Sequence, residues 1–85
     1  MKIKDIIDVN TGRTRTDDRY PQRIGSEVEF FREPVIGECM YLAYITDNQG
    51  YAKDGLLRTS IITDIIEAID VVVVQTINSV YYLER

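Results

Sequence analysis

Short alternating runs of apolar and polar residues, broken by polar turns, set the layout of this chain. Lys2–Val9 places Ile3, Ile7 and Val9 on one side and Lys2, Lys4 and Asp8 on the other, with Ile6 out of step. Asn10-Thr11-Gly12 ends that strand. Thr11–Gln22 is almost wholly polar and reads as a long loop. In Ser26–Arg32, Val28 and Phe30 face one way and Glu27, Glu29 and Phe31 the other; Pro34 and Gly37 then bracket a turn. Glu38–Thr46 is the cleanest strand, with Cys39, Tyr41, Ala43 and Ile45 on one face and Met40, Leu42 and Tyr44 on the other. Two apolar faces predict a strand covered on both sides or wrapped into a barrel. Asp47–Gly55 is a loop, and Val71–Ile77 with Val80–Glu84 forms a terminal hairpin turning at Asn78-Ser79.

One stretch supports two readings. Ile61, Ile62, Ile65, Ile66 and Ile69 recur at helical spacing, which predicts a short helix over 60–69 capped by Thr59 or Ser60. The β-branched content argues instead for a long bent strand from Leu56 to about Ile66, the reading preferred here. Composition weighs the same way along the whole chain. Ile (12), Val (8) and Thr (7) far outnumber Ala (3) and Leu (4), and β-branched side chains pack well on a pleated surface. The expected fold is one all-β (mainly β) domain over 1–85. Five to six strands would form a small closed or partly open barrel, SH3-like, because closure removes exposed edges.

At 85 residues with a net charge of −4, no His, no Trp and one Cys, several chemistries drop out. There is no His for a Ser-His-Asp or Cys-His nucleophile, no His-bearing zinc site, no Cys cluster and no disulfide within the chain. Neither a cofactor nor a metal is expected, and the chain reads as a non-enzyme. The N-terminal run is broken by Asp5 and Asp8 and lacks a signal-peptide core. The longest aliphatic run, Val71–Val74, falls far short of the ~20 residues a membrane helix needs. A location in the cytoplasm, with no membrane partner, is the expectation.

Charge is unevenly placed. Residues 1–25 hold six cations and four acids, for +2, whereas residues 26–85 hold four cations and ten acids, for −6. The candidate binding residues are therefore Arg13, Arg15, Arg19, Tyr20 and Arg23. Guanidinium forks suit phosphate, and the Tyr ring offers a stacking face. The competing reading folds these arginines onto the acidic remainder, and the net charge favours it; the same charge disfavours double-stranded nucleic acid.

Three other patterns are weaker. Glu27 and Glu29 share a strand face at roughly 7 Å, a spacing compatible with an inverting glycosidase pair and equally with a solvated strand. Asp47–Asp54 faintly suggests a calcium loop, but Lys53 and Arg58 stand where ligands belong. Cys39 has no activating neighbour in sequence and reads as a small buried hydrophobe.

Arg19-Tyr-Pro-Gln-Arg-Ile-Gly25, Leu57-Arg-Thr-Ser60 and Thr76-Ile-Asn-Ser-Val-Tyr-Tyr-Leu83 together resemble a group of small uncharacterised proteins of bacteriophages and prophages of Firmicutes. Those proteins carry Arg-Thr-Ser followed by a strand, then Thr-x-Asn-Ser-x-Tyr. The resemblance implies a phage or prophage source and a small β-fold, and it transfers no activity and no functional residues. The expected function is a non-enzymatic binding module acting on a host or phage macromolecule, most simply a protein partner. The alternative is a binder of a nucleotide-like anion through the Arg-rich loop. Self-association as a homodimer is also expected, since so short a chain buries a small core and Ile6, Phe31 and the second face of Glu38–Thr46 would point outward.

Overall fold

A computed structural model describes all 85 residues. The elements in order are β1 (Lys2–Asp8), a single helical turn α1 (Tyr20–Arg23), β2 (Glu27–Phe30), β3 (Cys39–Thr46), β4 (Leu56–Glu67), β5 (Val71–Thr76) and β6 (Ser79–Glu84). Each strand pairs antiparallel with the next, and β1 pairs with β6, so one sheet closes on itself as a small barrel. No helix is long and apolar enough to cross a membrane.

The interior is filled by Ile3, Ile6, Val28, Met40, Leu42, Leu57, Ile62, Val72, Val74, Tyr81 and Leu83. In the β5–β6 hairpin the alternation is unbroken. Val72 and Val74 point in, as do Tyr81 and Leu83, and the ladder runs from Val71↔Glu84 to Gln75↔Val80 without a shift. Its turn lies at Ile77-Asn78, one residue before the expected place, with Ser79 already in β6. Thr76 fixes it: its hydroxyl donates to the Ser79 carbonyl at 2.9 Å and accepts the Ser79 amide at 3.1 Å. That local side-chain bonding replaces the missing Asn-Gly signal.

Elsewhere the period of two is interrupted, and each interruption is one extra residue in a strand. Ile3↔Leu83 and Asp5↔Tyr82 set two steps of β1 against one of β6, which carries Ile6 inside. The expectation that Ile6 faces outward is thereby corrected. The extra residue in β3 lies at Ile45, between Thr46↔Glu27 and Tyr44↔Val28. β4 has two, between Arg58 and Ile61 and between Ile62 and Asp64. Leu57, Thr59 and Ile62 are consequently buried, with Ile65 half-buried, at steps of two, three and three. A strand with two bulges thus imitates a helical stripe. The preferred strand is found over Leu56–Glu67, and the competing helix over 60–69 is not formed.

A bulge leaves an amide out of register, and here side-chain oxygens accept those amides. Asp5 accepts from Ile6 at 2.8 Å, Asp64 from Ile65 at 2.9 Å, Thr59 from Met40 at 3.1 Å and Thr46 from Glu27 at 3.4 Å. Wrapping also explains the two apolar faces of β3. Met40 and Leu42 are buried inside, while Tyr41 outside is roofed by the Arg32 guanidinium at 4.6 Å.

The polar segment after β1 is not a free loop. Short β2 meets β1 at Lys2↔Glu27 and leaves the far part of β1 without a strand neighbour on that side. Residues 13–15 fill the gap: Asp8 N donates to Arg13 O and Arg15 N to Ile6 O, both at 2.8 Å, and Ile7 bridges Thr14. Asp18 then turns with φ 52°, a conformation Asp tolerates better than most residues. α1 follows with Pro21 in its first turn, where a missing amide costs nothing. Gly25, at φ 96°, redirects the chain into β2.

Candidate functional site

One end of the barrel brings together α1, the start of β4, the β3–β4 loop and the β5–β6 turn. Ser60 Oγ accepts the Asn78 amide at 3.3 Å, and Ile77 N donates to Ile61 O at 3.1 Å, so β4 and the turn are tied side by side. The three stretches singled out in the sequence, around Arg19–Gly25, Leu57–Ser60 and Thr76–Leu83, therefore meet at this mouth.

Arg15 locks α1's neighbourhood to the turn. Its Nη1 donates to Asn78 O and to Ser79 Oγ, both at 2.9 Å. Nε and Nη2 face the Asp17 carboxylate at 3.3 and 3.4 Å, and Asp8 lies 3.9 Å away. The guanidinium stacks on Tyr20 at 4.4 Å, and its side chain is only 15% exposed. Asp17 strengthens the hold of Arg15 on its proton, and Arg15 in turn keeps the Asp17 carboxyl below the usual carboxylate range. Every face of Arg15 is engaged within the protein. It is a positioning residue: four of its five N–H donors are hydrogen-bonded within the protein, and the fifth lies on the nitrogen that faces Asp8.

The mouth holds two recesses. The first, of about 370 Å3, is lined by Arg19, Arg23, Lys53 and Arg58 with Tyr44 and Asp54. The second, of about 360 Å3, is lined by Arg23, Arg58, Tyr20, Ser60 and Asn78 with Asp18. Arg23 and Arg58 border both. The chain's ion pairs within 4.0 Å are Lys4–Glu84, Arg15–Asp8, Arg15–Asp17 and Arg32–Glu38. Arg19, Arg23, Lys53 and Arg58 thus converge on one opening with no carboxylate in contact.

The rings at the mouth are already covered. Arg23 lies over Tyr20 at 5.1 Å, beside Arg15 on the same ring, and Lys53 lies over Tyr44 at 4.2 Å. Burial pushes the Tyr44 hydroxyl up, partly offset by Arg23. Tyr81, beneath the second recess, is pushed up more strongly, chiefly by burial. Both therefore stay neutral at physiological pH.

The five residues proposed from sequence divide accordingly. Arg19, Tyr20 and Arg23 stand at the mouth. Arg15 is beside it but engaged, and Arg13 is exposed and borders neither recess. Tyr20 carries two guanidiniums, so the expected free stacking face is taken. Lys53 and Arg58 belong to the cluster and were not singled out as binders. Their signal was a lone cation in each case: Lys53 spoiling a calcium-like loop, and Arg58 between inward-facing Leu57 and Thr59.

The other candidates resolve as scaffold. Asp47 accepts the amides of Gln49 and Tyr51 at 2.8 and 3.0 Å, closing the β3–β4 loop with its carboxylate. Glu27 and Glu29 are exposed, and no recess holds both. A larger hollow of about 700 Å3 on the outer wall, between β1, β5 and β6, gathers Asp5, Asp70 and Glu84 around one lysine. That lysine, Lys4, is already paired with Glu84 at 3.2 Å. Size alone does not make it a site.

Fold and mouth together define a small closed antiparallel barrel with a basic opening whose tyrosine faces are capped by cations. Comparison with protein-family models, curated proteins and solved structures finds no match for the chain.

Proposed function

We propose that this chain is a non-enzymatic binding module of phage or prophage origin, working in the bacterial cytoplasm, whose barrel mouth holds a small anionic ligand. The observation that carries the reading is the group Arg19, Arg23, Lys53 and Arg58 around one opening without a carboxylate in contact. With fourteen acids against ten Lys and Arg, partners for these cations are plentiful. Leaving four together is unfavourable for the isolated fold and favourable once an anion enters. A net charge of −4 repels a long polyanion at a distance but penalises a small one much less. In this reading the barrel is a scaffold that presents a site between its loops.

The test is a nuclear magnetic resonance titration of the full chain with inorganic phosphate and with nucleotides. Saturable shifts should centre on the amides of Arg23, Arg58, Ser60 and Asn78 and vanish in the Arg23→Gln/Arg58→Gln double variant. Flat titrations with all of them would overturn the reading.

A second reading has its own observation. Phe31, Val35, Ile36, Ile61 and Ile77 are all exposed, Phe31 by 62%. Backbone bonds from Gly37 to Ile62 and from Ile77 to Ile61 place most of them on adjoining strands and turns. A band of this kind suits a protein partner, in the simplest case a second copy of the chain.

A further inference from the structure

We propose that the ligand of the mouth carries two linked phosphates, one in each recess, with Arg23 and Arg58 gripping both. This rests on the anion-binding reading above and names the class of anion. The two recesses are similar in size and share those two arginines as their common wall. A guanidinium presents five donors in a planar fork, so one arginine between two recesses can serve an oxygen on either side, which a lysine cannot do bidentately.

Each recess adds donors of its own. The first has Arg19 and Lys53. The second has the Ser60 hydroxyl and the Asn78 side chain. Charge agrees with a diphosphate. Four cations line the mouth against two acids, Asp54 in the first recess and Asp18 in the second. The net of +2 fits the two to three charges of a diphosphate better than the single charge of a phosphodiester.

The rings argue against recognition through a base. Tyr20 is covered by Arg15 and Arg23, and Tyr44 by Lys53. A nucleobase would have to displace a cation–π contact to stack on either. The phosphates themselves are what the mouth reads, and inorganic pyrophosphate should bind about as well as a nucleoside diphosphate.

Isothermal titration of the full chain at fixed ionic strength tests this with orthophosphate, pyrophosphate, adenosine diphosphate and a short oligothymidylate. Pyrophosphate should bind one to one and about tenfold or more tighter than orthophosphate, the gain of one further charge-assisted contact. Arg23→Gln and Arg58→Gln should each weaken both anions, and Lys53→Gln should weaken orthophosphate too, since a single phosphate takes the more basic first recess. Asn78→Ala, in the second recess, should bring pyrophosphate down towards orthophosphate while leaving the latter nearly unchanged. Thermal melts confirm that each variant is folded. Orthophosphate binding without a pyrophosphate gain overturns the two-phosphate inference and leaves the anion-binding mouth standing. A pyrophosphate preference unchanged by Asn78→Ala overturns the division between recesses, and tighter binding of the oligothymidylate transfers the site to single-stranded nucleic acid. Silence from all four ligands overturns both readings.

Discussion

The Thr59 hydroxyl accepts the amide proton of Met40 at 3.1 Å across the β3–β4 pair, and donates its own proton to the Ser60 carbonyl at 2.8 Å. Thr59 is buried, and Met40 is wholly so. A side chain here stands in for a backbone acceptor that the bulge has displaced. The same substitution of side chain for main chain recurs at Asp5, Thr46 and Asp64, so the barrel's curvature depends on a few polar residues inside otherwise apolar strands.

Thr59→Val keeps the shape and removes the acceptor, leaving the Met40 amide buried without a partner. The expected loss is about 1–3 kcal/mol of unfolding free energy, the cost of an orphaned buried donor. Thr59→Ser should recover most of it. Denaturant melts of the two variants beside wild type measure the difference.

Asp17 is exposed, and its carboxyl is held low by the Arg15 hydrogen bonds. A depressed carboxyl favours the fold above its ordinary pKa, and that contribution is lost as pH falls through the depressed value. Carboxyl titration by nuclear magnetic resonance should place Asp17 below the ordinary value of about 3.9. In Arg15→Gln it should return towards it, and the α1 amides should shift with it.

Tyr81 presents the opposite sign. Burial raises its pKa above that of an unfolded tyrosine, so the neutral ring favours the fold below pH about 10. That contribution is lost as pH rises from there towards the folded value. Tyr81→Phe should leave neutral-pH stability within about 1 kcal/mol, typical of a shape-conserving change, and flatten the alkaline decline. Melts at neutral pH and above pH 10 check both parts.

Hydrogen exchange should divide the Arg-rich segment. The Arg15 amide donates to Ile6 at 2.8 Å and should be protected with β1, whereas the Asp17 and Asp18 amides, which donate to no backbone carbonyl, should exchange fast. Uniformly fast exchange from residue 13 to 18 would show that the segment does not dock on β1.

The apolar band makes a prediction about mass. Light scattering at micromolar concentrations should report a dimer for the wild-type chain and a monomer for Phe31→Asp/Ile36→Asp. Both positions are exposed, so the fold should survive, with surface changes typically within about 0.5 kcal/mol. A wild-type monomer would leave the band for a different protein.

Where the pleat is regular, the fold could be read from the residues alone. Val72, Val74, Tyr81 and Leu83 alternate without interruption, and their hairpin forms as expected. β4 could not be read so directly, because its bulges turn a step of two into a step of three and imitate a helix. Ile6 misled for the same reason. The basic mouth was half visible. Arginine density drew attention to Arg19, Tyr20 and Arg23, but local charge cannot tell Arg15, absorbed by Asp17 and the β5–β6 turn, from Arg58, which meets Arg23 only through closure of the barrel.

The junction of β1 with β2 and the segment after β1 also decides how the ring would come apart. β1 and β6 are paired along their whole length, from Lys2↔Glu84 to Asp8↔Ser79. The opposite side of β1 is held at one end by short β2 and at the other by the backbone of Arg13–Arg15. Mechanical rupture should begin there, and it would leave a curved ribbon with β2 and β1 as its two bare margins. Two such ribbons could join margin to margin and close as one larger ring. The residues at 13–15, which border neither recess, thus hold the seam at which any strand exchange between copies would have to start.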